Sequence, residues 1–236
     1  MPAFTTTSLK TMISSHNPEF DSKLGGGIPV GSLMLIEGTS GAGKSVISQL
    51  LISGALQDGF TAALFTSENT VRSLVSHMQK LDMDILDYLL LGKFKAYPMA
   101  LAWLGEDAPT ALWMALRQQE KQDLLVVDSL TSATIQSTED SMILYFFEEC
   151  QQICSTGKTI IVTLHAEGVS DDLLNPIRAM CDVDLRVRTS QDGQRLVKTL
   201  EVSKVRGAGG TTGAIVGFEV EPGWGLRIIP ISKARG

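Results

Sequence analysis

Leu33-Met34-Leu35-Ile36-Glu37 runs directly into Gly38-Thr39-Ser40-Gly41-Ala42-Gly43-Lys44-Ser45. The first five residues read as a buried strand, and the next eight satisfy GxxxxGK[ST] at each constrained position. Beyond them Val46, Ile47, Leu50, Leu51 and Ala55 recur at helical spacing, so the glycine-rich turn joins a strand to a helix with one apolar stripe. The chemistry of such a turn is specific. Glycines let backbone N–H groups curl around a phosphate, and the helix directs its positive end at that anion. Lys44 is a point charge able to reach the β- and γ-phosphates of a nucleoside triphosphate, and Ser45 offers a hydroxyl to Mg²⁺.

Outward from this turn, short apolar runs alternate with segments of helical period. Thr61–Thr66 reads as a second strand, followed by a helix that Thr70 caps and that turns Val71, Leu74, Val75, Met78 and Leu81 inward. Leu124–Asp128 and Thr159–Leu164 are two further buried strands. Between them Met142, Ile143, Phe146, Phe147, Cys150 and Cys154 mark a helix ended by Gly157. From about residue 183 the period becomes two. Val183, Leu185 and Val187 alternate with charged residues, Gln191–Gln194 holds an Asp-Gly turn, and Leu196 to Val205 alternates again. Ile215–Val220 and Leu226–Ile229 form a second hairpin around Pro222-Gly223-Trp224-Gly225.

The expected fold is therefore α/β: a mostly parallel sheet flanked by helices, with C-terminal antiparallel β-hairpins. No linker or shift of composition marks a boundary. The pattern predicts a single domain over residues 1–236, its core spanning about 17–182 and its hairpin extension about 183–230. Residues 82–122 carry no decisive pattern. Pro176 either opens a helix capped by Asn175 or interrupts one begun near Ser170.

Composition removes several function classes. With 44% hydrophobic residues and no repeat, the chain of 236 residues is neither disordered nor fibrous. Its longest apolar runs fall far short of the ~20 residues that span a bilayer. Met1 to Ser15 lacks the apolar stretch of a signal peptide, so a cytoplasmic location is expected. Twenty basic against 26 acidic residues, a net charge of −6, argues against a grip on nucleic-acid phosphates as the main task. Cys150, Cys154 and Cys181 cannot frame a disulfide scaffold, and without nearby histidines they read as small core residues.

Four further groups have chemistry to offer. Asp128 closes the run Leu124-Leu125-Val126-Val127-Asp128, where it could hold Mg²⁺ or a water of its shell beside Ser45. Glu68 lies just past the second strand; it either polarises a water for attack on the γ-phosphate or is a solvated acid at a helix start. His165 follows the fourth strand and would sense the γ-phosphate or fill a polar position. Lys204 and Arg206, two apart in an extended segment, point to one side and can reach one phosphate. His16 and His77 belong to no constellation.

Leu24-Gly25-Gly26-Gly27-Ile28-Pro29-Val30-Gly31-Ser32, leading into the phosphate turn, resembles the entry to RecA-like domains of the KaiC type. Ser67-Glu68-Asn69-Thr70-Val71-Arg72-Ser73-Leu74, Gly157–His165, Val205-Arg206-Gly207-Ala208 and Val220–Pro230 resemble one branch of it, the FlaH-type archaellum accessory ATPases. The likeness covers roughly residues 17–234. It implies ATP and Mg²⁺ as ligands and a place in the archaellum motor. There such proteins partner the motor ATPase FlaI beneath the membrane protein FlaJ, inside a ring of FlaX or equivalent proteins, peripheral to the cytoplasmic face of the membrane. It also implies a homo-oligomeric ring, in which Lys204 and Arg206 act on the neighbouring subunit's nucleotide. Glu68 aligns with the first of two adjacent catalytic glutamates in KaiC-type proteins, and the second is Asn69 here.

The resulting expectation is an ATP-binding regulatory and assembly subunit whose nucleotide state controls association with FlaI, with ATP hydrolysis slow or absent. One alternative is a motor-type ATPase that turns over. Another is a RadB-like DNA-binding recombinase paralogue. Against the latter, 131–141 and 166–176, where such proteins grip DNA, contain acids and no Lys or Arg.

Overall fold

The computed structural model describes residues 10–137, 139–192, 195–207 and 213–229. The Gly193-Gln194 part of the expected Asp-Gly turn lies outside them, as do Ala208, Pro230 and the first nine residues. In chain order the elements are β1 (Met12–Ile13), α1 (Pro18–Lys23), β2 (Ile28–Pro29), β3 (Leu33–Gly38), α2 (Lys44–Gln57), β4 (Ala62–Thr66), α3 (Val71–Lys80), α4 (Leu86–Leu90) and β5 (Phe94–Pro98). They continue with α5 (Ala108–Arg117), β6 (Leu124–Asp128), α6 (Thr131–Gln136), α7 (Asp140–Cys154), β7 (Thr159–His165), α8 (Asp171–Met180), β8 (Val183–Asp192), β9 (Arg195–Val205), β10 (Ala214–Glu221) and β11 (Gly225–Ile229).

Nine of these strands form one sheet in the order β11-β10-β9-β8-β3-β7-β6-β4-β5. From β8 to β5 all neighbours are parallel, whereas β8, β9, β10 and β11 pair antiparallel. The parallel strands are apolar along their length because both faces are covered. Met34, Ile36, Leu64, Val126 and Ile161 pack on the side of α2 and α3; Leu33, Leu35, Phe65, Val127 and Val162 pack on the side of α5, α7 and α8. The α/β architecture anticipated from the alternation is the one observed.

Several details differ from the sequence reading. β8, expected in the antiparallel hairpin extension of the domain, lies against β3 as the sixth parallel strand, with Met34 opposite Val183 and Gly38 opposite Val187. Its period of two arises because only one face meets the apolar core; Asp184 and Arg186 face the other way. α2 is buried nearly all round rather than along one stripe. Its outer side is covered by the N-terminal segment so closely that a Cβ on Gly54 would lie 2.1 Å from the Ser14 carbonyl oxygen. Val71, expected inside, is 38% exposed, while Leu74 and Met78 carry the inward face of α3. The undecided stretch 82–122 supplies α4, the edge strand β5 and α5. Ser170 caps α8 by accepting from the Leu173 N–H, so Pro176 falls inside a helix that had already begun.

Candidate nucleotide-binding site

β3 delivers the phosphate loop to the edge of the sheet where the parallel strands end, and the loop passes straight into α2. Two of its glycines are set by local geometry, Gly43 by its backbone angle and Gly38 by packing. Gly43 adopts φ +114° at the N-cap of α2, and a Cβ there would lie 3.1 Å from the Phe218 ring; at Gly38 a Cβ would lie 1.9 Å from the Val187 carbonyl oxygen. The loop therefore rests on β8 and β10, which gives the C-terminal strands a part in shaping it.

Lys44 is 4% exposed, and its ammonium group donates to the carbonyl oxygens of Gly38 at 3.0 Å and Thr39 at 2.6 Å. Burial pushes its pKa down to about 8, although Glu68, Asp128 and Glu167 pull the other way. Asp128, at the end of β6, is 1% exposed. Its Oδ1 accepts from Thr163 at 2.7 Å and from Ser45 at 3.1 Å. Its Oδ2 is buried with no hydrogen-bond partner among the described residues. Burial raises its pKa against the lowering effect of the Thr163 bond.

A buried carboxylate oxygen without a donor is costly unless something cationic or protic meets it. A hard divalent cation takes oxygen ligands of this kind, so Asp128 and the adjoining Ser45 hydroxyl fit Mg²⁺. Among the described residues no cluster of three or more His, Cys, Asp or Glu competes as a metal site. The three cysteines are buried and free, and burial raises each thiol, that of Cys154 to about 12.

The loop opens on a cleft of about 350 Å³, also lined by Glu68, His165 and Lys198. The Ser129 hydroxyl donates to Glu68 Oε1 at 3.4 Å, and His165 Nε2 lies 3.8 Å from the same oxygen. Burial and the nearby Lys44 hold the imidazole below its usual pKa, opposed by Glu68. A larger cleft of about 950 Å³ lies between the Ser15–Glu19 segment, α2 and β11, and shares no residue with the phosphate loop.

The predicted residues thus divide. Gly38 to Ser45, Glu68, Asp128 and His165 come together at one edge. Lys204 and Arg206 do not join them. They sit where the parallel strands start, three to five residues or roughly 10–17 Å of strand from the level of Gly38. There Lys204 donates to the carbonyls of Arg178, Ala179 and Cys181 at 3.2, 3.1 and 2.5 Å, while Arg206 reaches Asp182 at 3.3 Å. Both cations do converge on one place, the C-terminal end of α8, as their spacing suggests.

Two charged residues escaped the sequence reading. Lys198 shares the inward face of β9 with Leu200 and Val202, and a lysine in phase with core positions was the available signal. Glu37, 2% exposed, pairs with Arg178 at 2.7 Å and Arg186 at 2.9 Å. Burial raises its pKa despite those arginines. An acid inside a buried strand demands partners, but nothing local names them.

The sequence profile of the KaiC ATPase family matches residues 9–233. The archaeal flagellar ATP-binding protein FlaH of Sulfolobus acidocaldarius is 30% identical over 230 residues, covering 95% of this chain and 99% of that one. The chain belongs to the KaiC family, in its FlaH branch. The FlaH protein of Methanococcus voltae is 24% identical over 92% of this chain and 95% of its own. The crystal structure of the flagellar accessory protein FlaH from Methanocaldococcus jannaschii superposes with a TM-score of 0.82 at 25% identity, covering 94% of this chain and 99% of that one. None of the described helices is long and apolar enough to cross a membrane.

Proposed function

We propose that the chain is an ATP-binding regulatory and assembly subunit of the archaellum motor, acting as one unit, whose nucleotide state controls association with the motor ATPase FlaI. The observation that carries this reading is the convergence of Lys44, Ser45 and Asp128, with its unpartnered Oδ2, at the mouth of the phosphate loop. FlaH relatives that match almost end to end carry ATP binding and the archaeal flagellum in their names.

In this reading the loop N–H groups of Gly38 to Gly43 hold the phosphates, and Lys44 exchanges the Gly38 and Thr39 carbonyls for phosphate oxygens. Ser45 and Asp128 hold Mg²⁺, which when bound neutralises phosphate charge. His165 reads the γ-phosphate. Lys204 and Arg206 leave the end of α8 to reach a neighbour's nucleotide in a homo-oligomeric ring. A triphosphate can bias assembly only through contacts that the diphosphate lacks, and these residues supply them. The motor places the chain at the cytoplasmic face of the membrane, beneath FlaJ and within the FlaX-type ring. Hydrolysis is slow or absent.

Lys44→Ala is expected to abolish Mg-ATP binding in titration calorimetry and to weaken binding to FlaI; unchanged affinity for both refutes the proposal. A second reading, a turning-over ATPase, is favoured by the Glu68–His165 pair on the cleft. Steady-state turnover above ~1 s⁻¹ that disappears in Glu68→Gln would support it.

A further inference from the structure

The layer that covers β5 and β6 leaves apolar side chains in water. A short 3₁₀ turn, Leu101–Trp103, follows β5, and α6 follows β6, so both stand at the same strand-end edge as the phosphate loop. The turn packs against α6 and the start of α5. Leu101 and Ala133 anchor it from beneath in one core layer. Above them Trp103 is 91% exposed, Ile135 65% and Leu104 40%. A solvated indole on a turn that packs against the helix carrying exposed Ile135 contributes little to folding, and Trp is among the residues most enriched where interfaces concentrate their energy.

The charge around this face is one-sided. No Lys or Arg occurs in residues 96–116 or in 122–157. Asp107, Glu139 and Asp140 are exposed on the segments that carry Leu104 and Ile135. Such a rim repels anionic lipid headgroups and nucleic-acid phosphates. A second copy of this chain is a poor match for this face: Arg178 and Arg186 are held by Glu37, and Lys204 and Arg206, assigned above to a neighbour's nucleotide, stand at the opposite edge of the sheet.

We infer that Trp103, Leu104 and Ile135 form the docking surface for a different protein, one that presents Lys or Arg side chains around an apolar pocket. The inference rests on the reading of the chain as a nucleotide-dependent assembly subunit, and it places that assembly next to the site. α6 begins only three residues after Asp128, and the Thr131 hydroxyl accepts from the His165 N–H at 3.0 Å. The backbone at His165 is thereby tied to the first residue of α6, the helix that carries Ile135.

The test uses the purified full-length chain and FlaI as the probe, with binding measured by calorimetry in Mg-ATP and self-association by sedimentation. Trp103→Ser is expected to weaken FlaI binding at least about thirty-fold, while Mg-ATP affinity stays within about two-fold and Trp224→Ser, at an exposed indole elsewhere, binds normally. The pair Asp107→Lys with Glu139→Lys is expected to weaken binding at low salt, with the loss shrinking as salt rises. Normal FlaI binding by Trp103→Ser, when the wild type binds, overturns the docking surface and leaves the proposed function standing. Loss of self-association instead of FlaI binding makes the face a contact between copies and overturns the inference. If the wild type itself does not bind FlaI, the inference and the assembly role fall together.

Discussion

The two edges of the parallel sheet differ in how deeply their charged groups are buried and in what partners them. Where the strands start, Lys204 and Arg206 are satisfied: three helix carbonyls and Asp182 accept from them, a cation at a helix C-terminus being favourable in its own right. Where the strands end, Lys44 and Asp128 are almost wholly buried, each with its charged form disfavoured by burial, and Asp128 Oδ2 lacks a donor. The first edge ties its cations to protein acceptors, although burial lowers the Lys204 pKa and the neighbouring Asp184 is buried with one unpartnered oxygen. The second carries a desolvation cost that a cation and an anion together would remove, which is the signature of a site rather than of a scaffold.

If that contrast is right, substitutions at the two edges should move stability in opposite directions. The largest effect is expected at Asp128. Its folded-state pKa is raised, so its ionised form destabilises the fold at pH 7, and that penalty vanishes in acid below the ordinary carboxylate range. Asp128→Asn keeps an acceptor for Thr163 and Ser45. Without nucleotide it should raise Tm at pH 7 by about 2–4 °C, corresponding to ~1 kcal/mol, while removing the Mg²⁺-dependent part of ATP affinity. Calorimetric melting at pH 7 and in acid checks both signs; a lower Tm at pH 7 would break the comparison.

A change of similar or smaller size and opposite sign is expected at Lys204. Lys204→Met removes donors from the end of α8 and should lower Tm by about 2–4 °C, for ~1 kcal/mol. An unchanged Tm would mean that water replaces those bonds at no cost. A third effect, confined to alkaline pH, lies at Lys44. Its folded pKa, about 8, is below the usual lysine value, so between roughly pH 8 and 10.5 the unfolded chain binds more protons. The contribution of Lys44 to nucleotide-free stability should therefore rise with pH across that window and stay flat below it, and Lys44→Met should remove the rise.

How much of this was legible in the sequence depended on how local the cause was. The phosphate loop, Asp128 and the four central strands were readable because strand, turn and helix signals follow one another within a few residues. β5 was not, since Phe94-Lys95-Ala96-Tyr97-Pro98 is a half-buried edge strand with neither clean alternation nor a continuous apolar run. α5 offers only Leu112 and Leu116 as deeply buried anchors past its first turn. The Glu37–Arg178 pair spans 141 residues of chain. Lys198 reaches the cleft only because β8 and β9 join the parallel core. That placement depends on pairing between strands far apart in sequence, which no local pattern encodes. The burial of α2 on all sides has the same origin: its outer cover comes from the two ends of the chain.

The central claim, that a triphosphate with Mg²⁺ takes over the partly desolvated Lys44, is tested most directly by titrating Mg-ATP into the folded protein in buffers of different ionisation enthalpy. Phosphate charge beside Lys44 should restore its proton, so binding at pH 8 is expected to be accompanied by proton uptake, and Lys44→Ala should give no binding heat. Tight binding by Lys44→Ala, or a heat at pH 8 that does not change with the buffer, would contradict it.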